Sequence, residues 1–291
     1  MIRKNWMRLT VPFLISFSIV LSGCATTGNV LEDSRERYIT SVANDPCSKL
    51  RVPFVEVREA QRQQIAKWAA IGATAGAAGG AAIDHKNRLR GALIGLVTGA
   101  VAGATIGYYK DLEQRSAGTA ALRNAVFTDA KKDVASSDRL VRAVSELNRC
   151  RIKQLKDIAA GIQTGKISKD EAKVRIQAVK DATNEDNMLI KSVSTGLIER
   201  SEIYVNALKQ SGATDADAYI ASAKSYKPIV NKPKYAVARG NIQPISVGQR
   251  NKKVETSVES SYKNAVELDA MQTAHAESVD EAIKDIDALL L

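Results

Sequence analysis

The chain has 291 residues, a formal net charge of +10 and 45% hydrophobic residues, but only 5% aromatics, among them four Phe and two Trp. So few rings exclude a thick globular core, and an apolar content resting on Ala, Val, Leu and Ile suits helices packed along narrow seams. The basic charges are interspersed with acids rather than gathered into an aromatic-laced patch, which argues against nucleic acid as a partner.

Arg3, Lys4 and Arg8 form a basic start, Val11 to Leu21 an apolar run, and Leu21-Ser22-Gly23-Cys24 closes it. The run is shorter than the roughly 20 residues of a membrane span, so a cleaved export signal over 1–23 is expected. The LSGC stretch resembles the lipobox of bacterial lipoproteins, which implies lipidation of Cys24 and cleavage before it. Ala25, where aspartate would imply inner-membrane retention, implies an outer-membrane destination for the tethered chain.

Beyond Cys24 the chain has only Cys47 and Cys150. In an oxidising compartment such a pair is expected to be bonded, closing a loop of about 100 residues. No metal site is expected, because His85 and His275 are far apart and no CxxC or HxxxH spacing occurs.

Next come two glycine ladders. Gly72, Gly76 and Gly80 step by four within 68–83, and Gly91, Gly95, Gly99, Gly103 and Gly107 do the same within 91–109. Each glycine inside a helix costs roughly 0.5–1 kcal/mol against alanine, so a compensating contact is required. Residues four apart share one helical face, and a glycine face lets another backbone approach closely. The connector 84–90, DHKNRLR, then makes an antiparallel helical hairpin. The pattern resembles the glycine-zipper domain of outer-membrane lipoproteins of the surface-antigen type, over the lipobox and residues 65–109. That resemblance implies an envelope location and a membrane-associated or self-associating hairpin. With lengths of roughly 24 and 28 Å the two helices approach the bilayer core, and Trp68, Tyr108 and Tyr109 would sit together at the headgroups. The alternative is a hairpin that never enters lipid and packs tightly on protein instead.

From Asp111 to about Thr164 one long helix is expected, with Leu140, Val144, Leu147, Leu155, Ile158 and Ile162 on one stripe. Thr164 to Ile167 should stop it, and Ser168 with Glu171 forms a capping box for a second helix ending near Gly212. A short helix after Thr214 stops at Lys227-Pro228, and Pro228, Pro233, Gly240, Pro244 and Gly248 mark a linker holding two short strand candidates. Helix resumes near Asn251 with a 4-3 spacing whose seam includes Ser261, Gln272 and His275, too polar for an autonomous zipper. His275 itself is expected to be a satisfied core or rim histidine.

Apparent chemical motifs dissolve on inspection. GIQTGKIS over 161–168 lacks the spacing and the Ser or Thr of a phosphate loop, Ser260 to Lys263 lacks the companions of an S-x-x-K site, and Asn184 to Asn187 reads as a solvated acidic face. No enzyme, cofactor or metal is expected.

The expected architecture is mainly α: a Gly/Ala-rich helical hairpin followed by a long antiparallel, coiled-coil-like helical domain. Its segments are a signal peptide (1–23), a tether (24–64), the glycine-zipper hairpin (65–109), a long helical hairpin (110–227), a Pro/Gly linker (228–250) and a C-terminal helix (251–291). The function expected is that of an outer-membrane-anchored structural or interaction lipoprotein of the bacterial envelope, with a membrane hairpin and a periplasmic helical domain. An oligomeric pore or membrane-perturbing assembly is the alternative. The expected partners are the lipid bilayer, further copies through the glycine zipper, and an envelope protein or cell-wall polymer.

Overall fold

Apolar side chains recurring every three or four residues give six α-helices among the described residues. The computed structural model describes residues 45–76, 103–232, 245–247 and 256–291, all within the unit Val42–Leu291. A 3-10 turn, Ser48–Arg51, leads into α1, Val52–Gly76. Helix α2 covers residues 103–115, α3 is Thr119–Gln163, α4 is Lys169–Gln210, α5 is Ala216–Lys224 and α6 is Ser257–Leu290. The strands β1, Val230–Asn231, and β2, Ser246–Val247, pair antiparallel with Val230 opposite Val247.

Helices α3 and α4 form an antiparallel hairpin. Gly165 takes a φ of +66° at its tip, and Ser168 Oγ accepts the Glu171 N–H at 3.2 Å, so the stop and the capping box both stand where the sequence puts them. Helix α6 starts at a second cap of this kind, Thr256 Oγ1 accepting from Glu259 N–H. It lies along both α3 and α4 and makes the hairpin a three-helix bundle. Its contacts with α3 rise together in number, Ser257 with Phe127, Asn264 with Ser137 and Ser278 with Asn148, so these two helices run parallel. The seam through Val258, Ala265, Leu268, Val279, Ala282 and Ile286 is buried, and so is a second stripe through Asn264, Met271, Ala274 and Ser278. Two neighbours need a wider inward face than one, which is why so polar a helix is largely enclosed.

The core has two apolar ends. One gathers Tyr108, Leu112, Val126, Tyr204, Leu208 and Val258; the other gathers Leu155, Ile158, Ile176, Val179, Ile283 and Ile286. Between them lies a buried polar layer that includes Asn148, Asp186, Ser201, Ser261 and His275.

Three sequence expectations change. First, the helix expected from Asp111 to Thr164 is broken at 116–118, where Gly118 adopts a φ of +92° and turns α2 back along α3. The Ser116-Ala117-Gly118 stretch carried that signal. Second, the boundary between tether and hairpin at 64/65 falls inside the continuous helix α1.

Third, the membrane-spanning hairpin is corrected, and with it the outer-membrane, lipid-anchored location, the envelope-lipoprotein function and the pore alternative, each of which placed the chain at a membrane. No helix among the described residues is long and apolar enough to cross a membrane. Trp68 and Tyr108, expected at lipid headgroups, are 4% and 0% exposed in the protein core. The physical reason is competition: the bundle offers these rings apolar partners and hydrogen bonds together, so they have no need of an interface. Cys24, Gly80, Gly91, Gly95, Gly99 and the connector 84–90 lie outside the described residues.

Candidate functional site

Helices α1 and α2 run antiparallel where they leave the two ladders, and glycine sets how closely they meet. A Cβ at Gly72 would overlap the carbonyl oxygen of Gly103, and one at Gly107 would overlap the carbonyl oxygen of Trp68. Nothing larger than hydrogen fits at either position, and the contact is backbone against backbone. Gly103 differs: a Cβ there meets no described atom within 4 Å, so its hydrogen faces open space, with Ile106 38% exposed nearby.

This glycine contact is bolted to the bundle through rings and charges. Trp68 and Tyr108 lie with ring centroids 4.5 Å apart, and Tyr108 and Tyr204 at 5.4 Å, in tilted pairs. The Arg200 guanidinium sits 5.3 Å from the Trp68 ring, donates to Asp133 at 2.8 Å and to the Tyr204 hydroxyl at 2.7 Å, and reaches Gln64 of α1. Tyr108 O–H donates to Asp129, which Arg115 also binds at 2.7 Å. Burial pushes the Tyr108 hydroxyl far above its ordinary pKa, so it remains a neutral donor.

The other end of α1 is held by a charge square. Arg51 donates to Asp186 at 2.5 Å, to Glu185 at 3.0 Å and to the Ala182 carbonyl at 2.8 Å, and lies 3.3 Å from Asp45. Arg151 binds both oxygens of Asp45, at 2.5 and 2.7 Å, and both of Asp186, at 2.7 and 3.1 Å. Both guanidiniums are fully buried. Burial alone would raise the Asp186 carboxyl. The His275 ring beside it, the hydrogen bonds from Arg151 and the charges of both arginines outweigh it and hold Asp186 well below the carboxylate range. In Asp45 burial is likewise outweighed, by Arg151 first and then by the Cys47 N–H and Arg51. His275 is fully buried, its Nδ1 accepting from Asn148 Nδ2 at 3.1 Å; it is the core histidine expected but only half satisfied, because its Nε2 lies 3.5 Å from Asp186 without a hydrogen bond. A disulfide joins Cys47, in the turn before α1, to Cys150 in α3, beside the square.

Of the residues singled out in the sequence, the structure thus brings Cys47 to Cys150, Gly72 to Gly103, and Gly107 to Trp68. Gly76 closes α1. The acidic face at 184–187 is corrected: Asp186 is fully buried in the square and Glu185 binds Arg51. Sequence reasoning also missed Arg51, Arg151, Asp133 and Arg200. A signal for two of them was present, since Arg151 lies four residues from both Leu147 and Leu155, and Arg200 falls, like Asp186, on the inward stripe of α4. A charge in apolar register marks a buried pair. Among the described residues no group of three or more His, Cys, Asp or Glu is placed to hold a metal ion.

The family profile described as YMGG-like Gly-zipper matches residues 3–111. It covers both ladders and stops before α3, so the chain is similar to that family over this part alone. The match supports the glycine-zipper reading and carries nothing about outer membranes or lipoproteins. No curated protein and no solved structure matches the chain.

Proposed function

We propose that this chain is a non-enzymatic structural protein that works by self-association: a disulfide-closed helical bundle serving as the rigid mount of a glycine-zipper hairpin over residues 65–109. The observation that carries the reading is the backbone contact of Gly72 with Gly103 and of Gly107 with Trp68, fixed to the bundle by Trp68 and Tyr108. One helical turn separates the two contacts along each chain, and they step in opposite directions. That is the stepping of two glycine faces packed antiparallel. The glycine-zipper family match supports the same packing mode. The outward hydrogen of Gly103, beside exposed Ile106, supports a further flat face on which a second copy can seat its own backbone. The disulfide supports an oxidising compartment outside the cytosol as the place where the chain folds.

Sedimentation velocity on the oxidised protein tests this. Wild type is expected to form concentration-dependent oligomers, and a Gly95→Leu/Gly99→Leu variant to remain monomeric with an unchanged helical spectrum. A wild type that stays monomeric, or a variant that associates equally well, would refute self-association through the ladders.

A further inference from the structure

We infer that the Cys47–Cys150 disulfide is a redox latch: it holds the segment 45–64 against the bundle, and its reduction frees that segment while α3, α4 and α6 stay folded. This goes beyond the self-association reading and does not depend on it.

The bond lies on the seam between two parts of the molecule. Cys47 precedes α1, whereas Cys150 sits inside α3. The four buried charges of the square divide evenly, with Asp45 and Arg51 on the segment and Arg151 and Asp186 on the bundle; Glu185 of the bundle, which also binds Arg51, has a side chain 25% exposed and turns to water. When the segment lifts away, Arg151 keeps Asp186 at 2.7 Å, and Asp45 leaves together with Arg51, its neighbour at 3.3 Å. Neither half of the square is left with net buried charge. Separation therefore avoids the stranded buried charge that makes most buried ion pairs costly to break.

The rest of the seam is weakly apolar. Phe54 and Val55 are buried at one end of α1 and Trp68 at the other, but the inward positions between them include Arg58 and Gln61, with Gln64 reaching Arg200. Gln61 Nε2 donates to the Val193 carbonyl at 3.5 Å, the outer limit of a hydrogen bond, and the Gln61 side chain lies over Gly196, where a Cβ would overlap its Oε1. Trp68, locked against Tyr108 and Arg200, is the natural pivot. The bundle has its own apolar end at Leu155, Ile176, Val179 and Ile283, which draws nothing from the segment.

The chemistry is thiol–disulfide exchange with a dithiol reductant of the oxidoreductase class. Cys47 is fully buried and Cys150 only half-buried, so a thiolate of the reductant attacks the Cys150 sulfur. Cys47 leaves as a thiolate and takes up a proton. The second thiol of the reductant then resolves the mixed disulfide, giving free Cys150 and an oxidised reductant, two electrons having passed to the protein pair. Without the covalent link, docking loses the high effective concentration that the bond imposes.

Hydrogen exchange followed by mass spectrometry on the full oxidised chain, the same protein held in excess dithiothreitol, and a Cys47→Ser/Cys150→Ser variant decides the matter. Peptides from 52–64 should exchange at least about tenfold faster on reduction, while those from α3, α4 and α6 keep their rates, and reoxidation should restore protection. Unchanged protection of 52–64 would overturn the latch. So would an equal loss of protection throughout the bundle, in the reduced wild type or in the variant, because the bond would then be a staple for the whole fold.

Discussion

At the scale of single residues, Asp186 and Glu185 show how burial decides the worth of a charge. Both accept from Arg51, but the Asp186 side chain is fully enclosed and also answers Arg151, while that of Glu185 is 25% exposed. Asp186→Asn removes one of the two buried carboxylates that balance two buried guanidiniums, and the expected loss of stability is about 3–5 kcal/mol. Glu185→Gln should cost under about 1 kcal/mol, because water takes over much of what the carboxylate did. Urea unfolding of the two variants checks this, and similar midpoints for both would show that the square does not act as a closed unit. Asp133 is the instructive opposite. Burial pushes its carboxyl above the ordinary range even though Arg200 and Tyr204 both bind it, so a paired acid is not always one that favours its charged form.

At the scale of elements, the contact between α1 and α2 converts a sequence pattern into a distance. Alanine at Gly72 or Gly107 would put a methyl group into a carbonyl oxygen of the facing helix. Backbones cannot swing aside as a side chain can, so each substitution should destabilise by roughly 1–3 kcal/mol. Gly103→Ala is predicted to behave in the opposite way. Its Cβ enters open space in a helix, and the gain should be roughly 0.5–1 kcal/mol from the better helix former. Thermal unfolding of the three single variants, at a concentration where the chain is monomeric, is the measurement. If Gly103→Ala proves as damaging as the others, the described register of α1 on α2 is wrong. The same comparison explains why the ladder tolerates so many poor helix formers: at Gly72 and Gly107 the close approach offsets the propensity cost, whereas at Gly103 nothing described offsets it.

At the scale of the whole molecule, the buried carboxylates give a pH dependence. Asp45 and Asp186 are held below the ordinary aspartate range in the folded chain. Folding thus favours their ionised forms, a contribution that is complete above about pH 4, the unfolded aspartate value, and is lost as pH falls through the lowered folded values. Asp133, raised by burial, works against this, since its folded form binds a proton more tightly and gains stability on acidification. Asp129 and Glu259 are also lowered, their burial outweighed by their Arg and Lys partners and hydrogen bonds, and Glu199 is also raised by burial. Four lowered carboxyls against two raised leave a net loss. The melting temperature is expected to fall between about pH 5 and about pH 2, and less steeply in Asp45→Asn than in wild type. A melting temperature that does not change over that range, or a fall equally steep in Asp45→Asn, would remove the square from the account of acid stability.

Much of this could be read from the sequence by itself. The helical class, the breaks at Gly165 and Gly212, the cap at Ser168, and the inward stripes of α3 and α4 are local, set by backbone sterics, capping chemistry and a period of 3.6 residues. The glycine ladders likewise announced that backbones would meet. What they would meet was a tertiary decision. Trp68 and Tyr108 are amphipathic enough to suit a lipid interface or a protein core, and only the presence of Tyr204, Arg200 and Asp133 at the right height on the bundle sends them inward. The charge square is equally illegible in one dimension. Asp45 and Arg51 are separated from Arg151 and Asp186 by about a hundred residues or more, and no local rule links them. Long-range electrostatic partners depend on where helices lie in space, and it is the packing of α1 on α3 and α4 that brings them together.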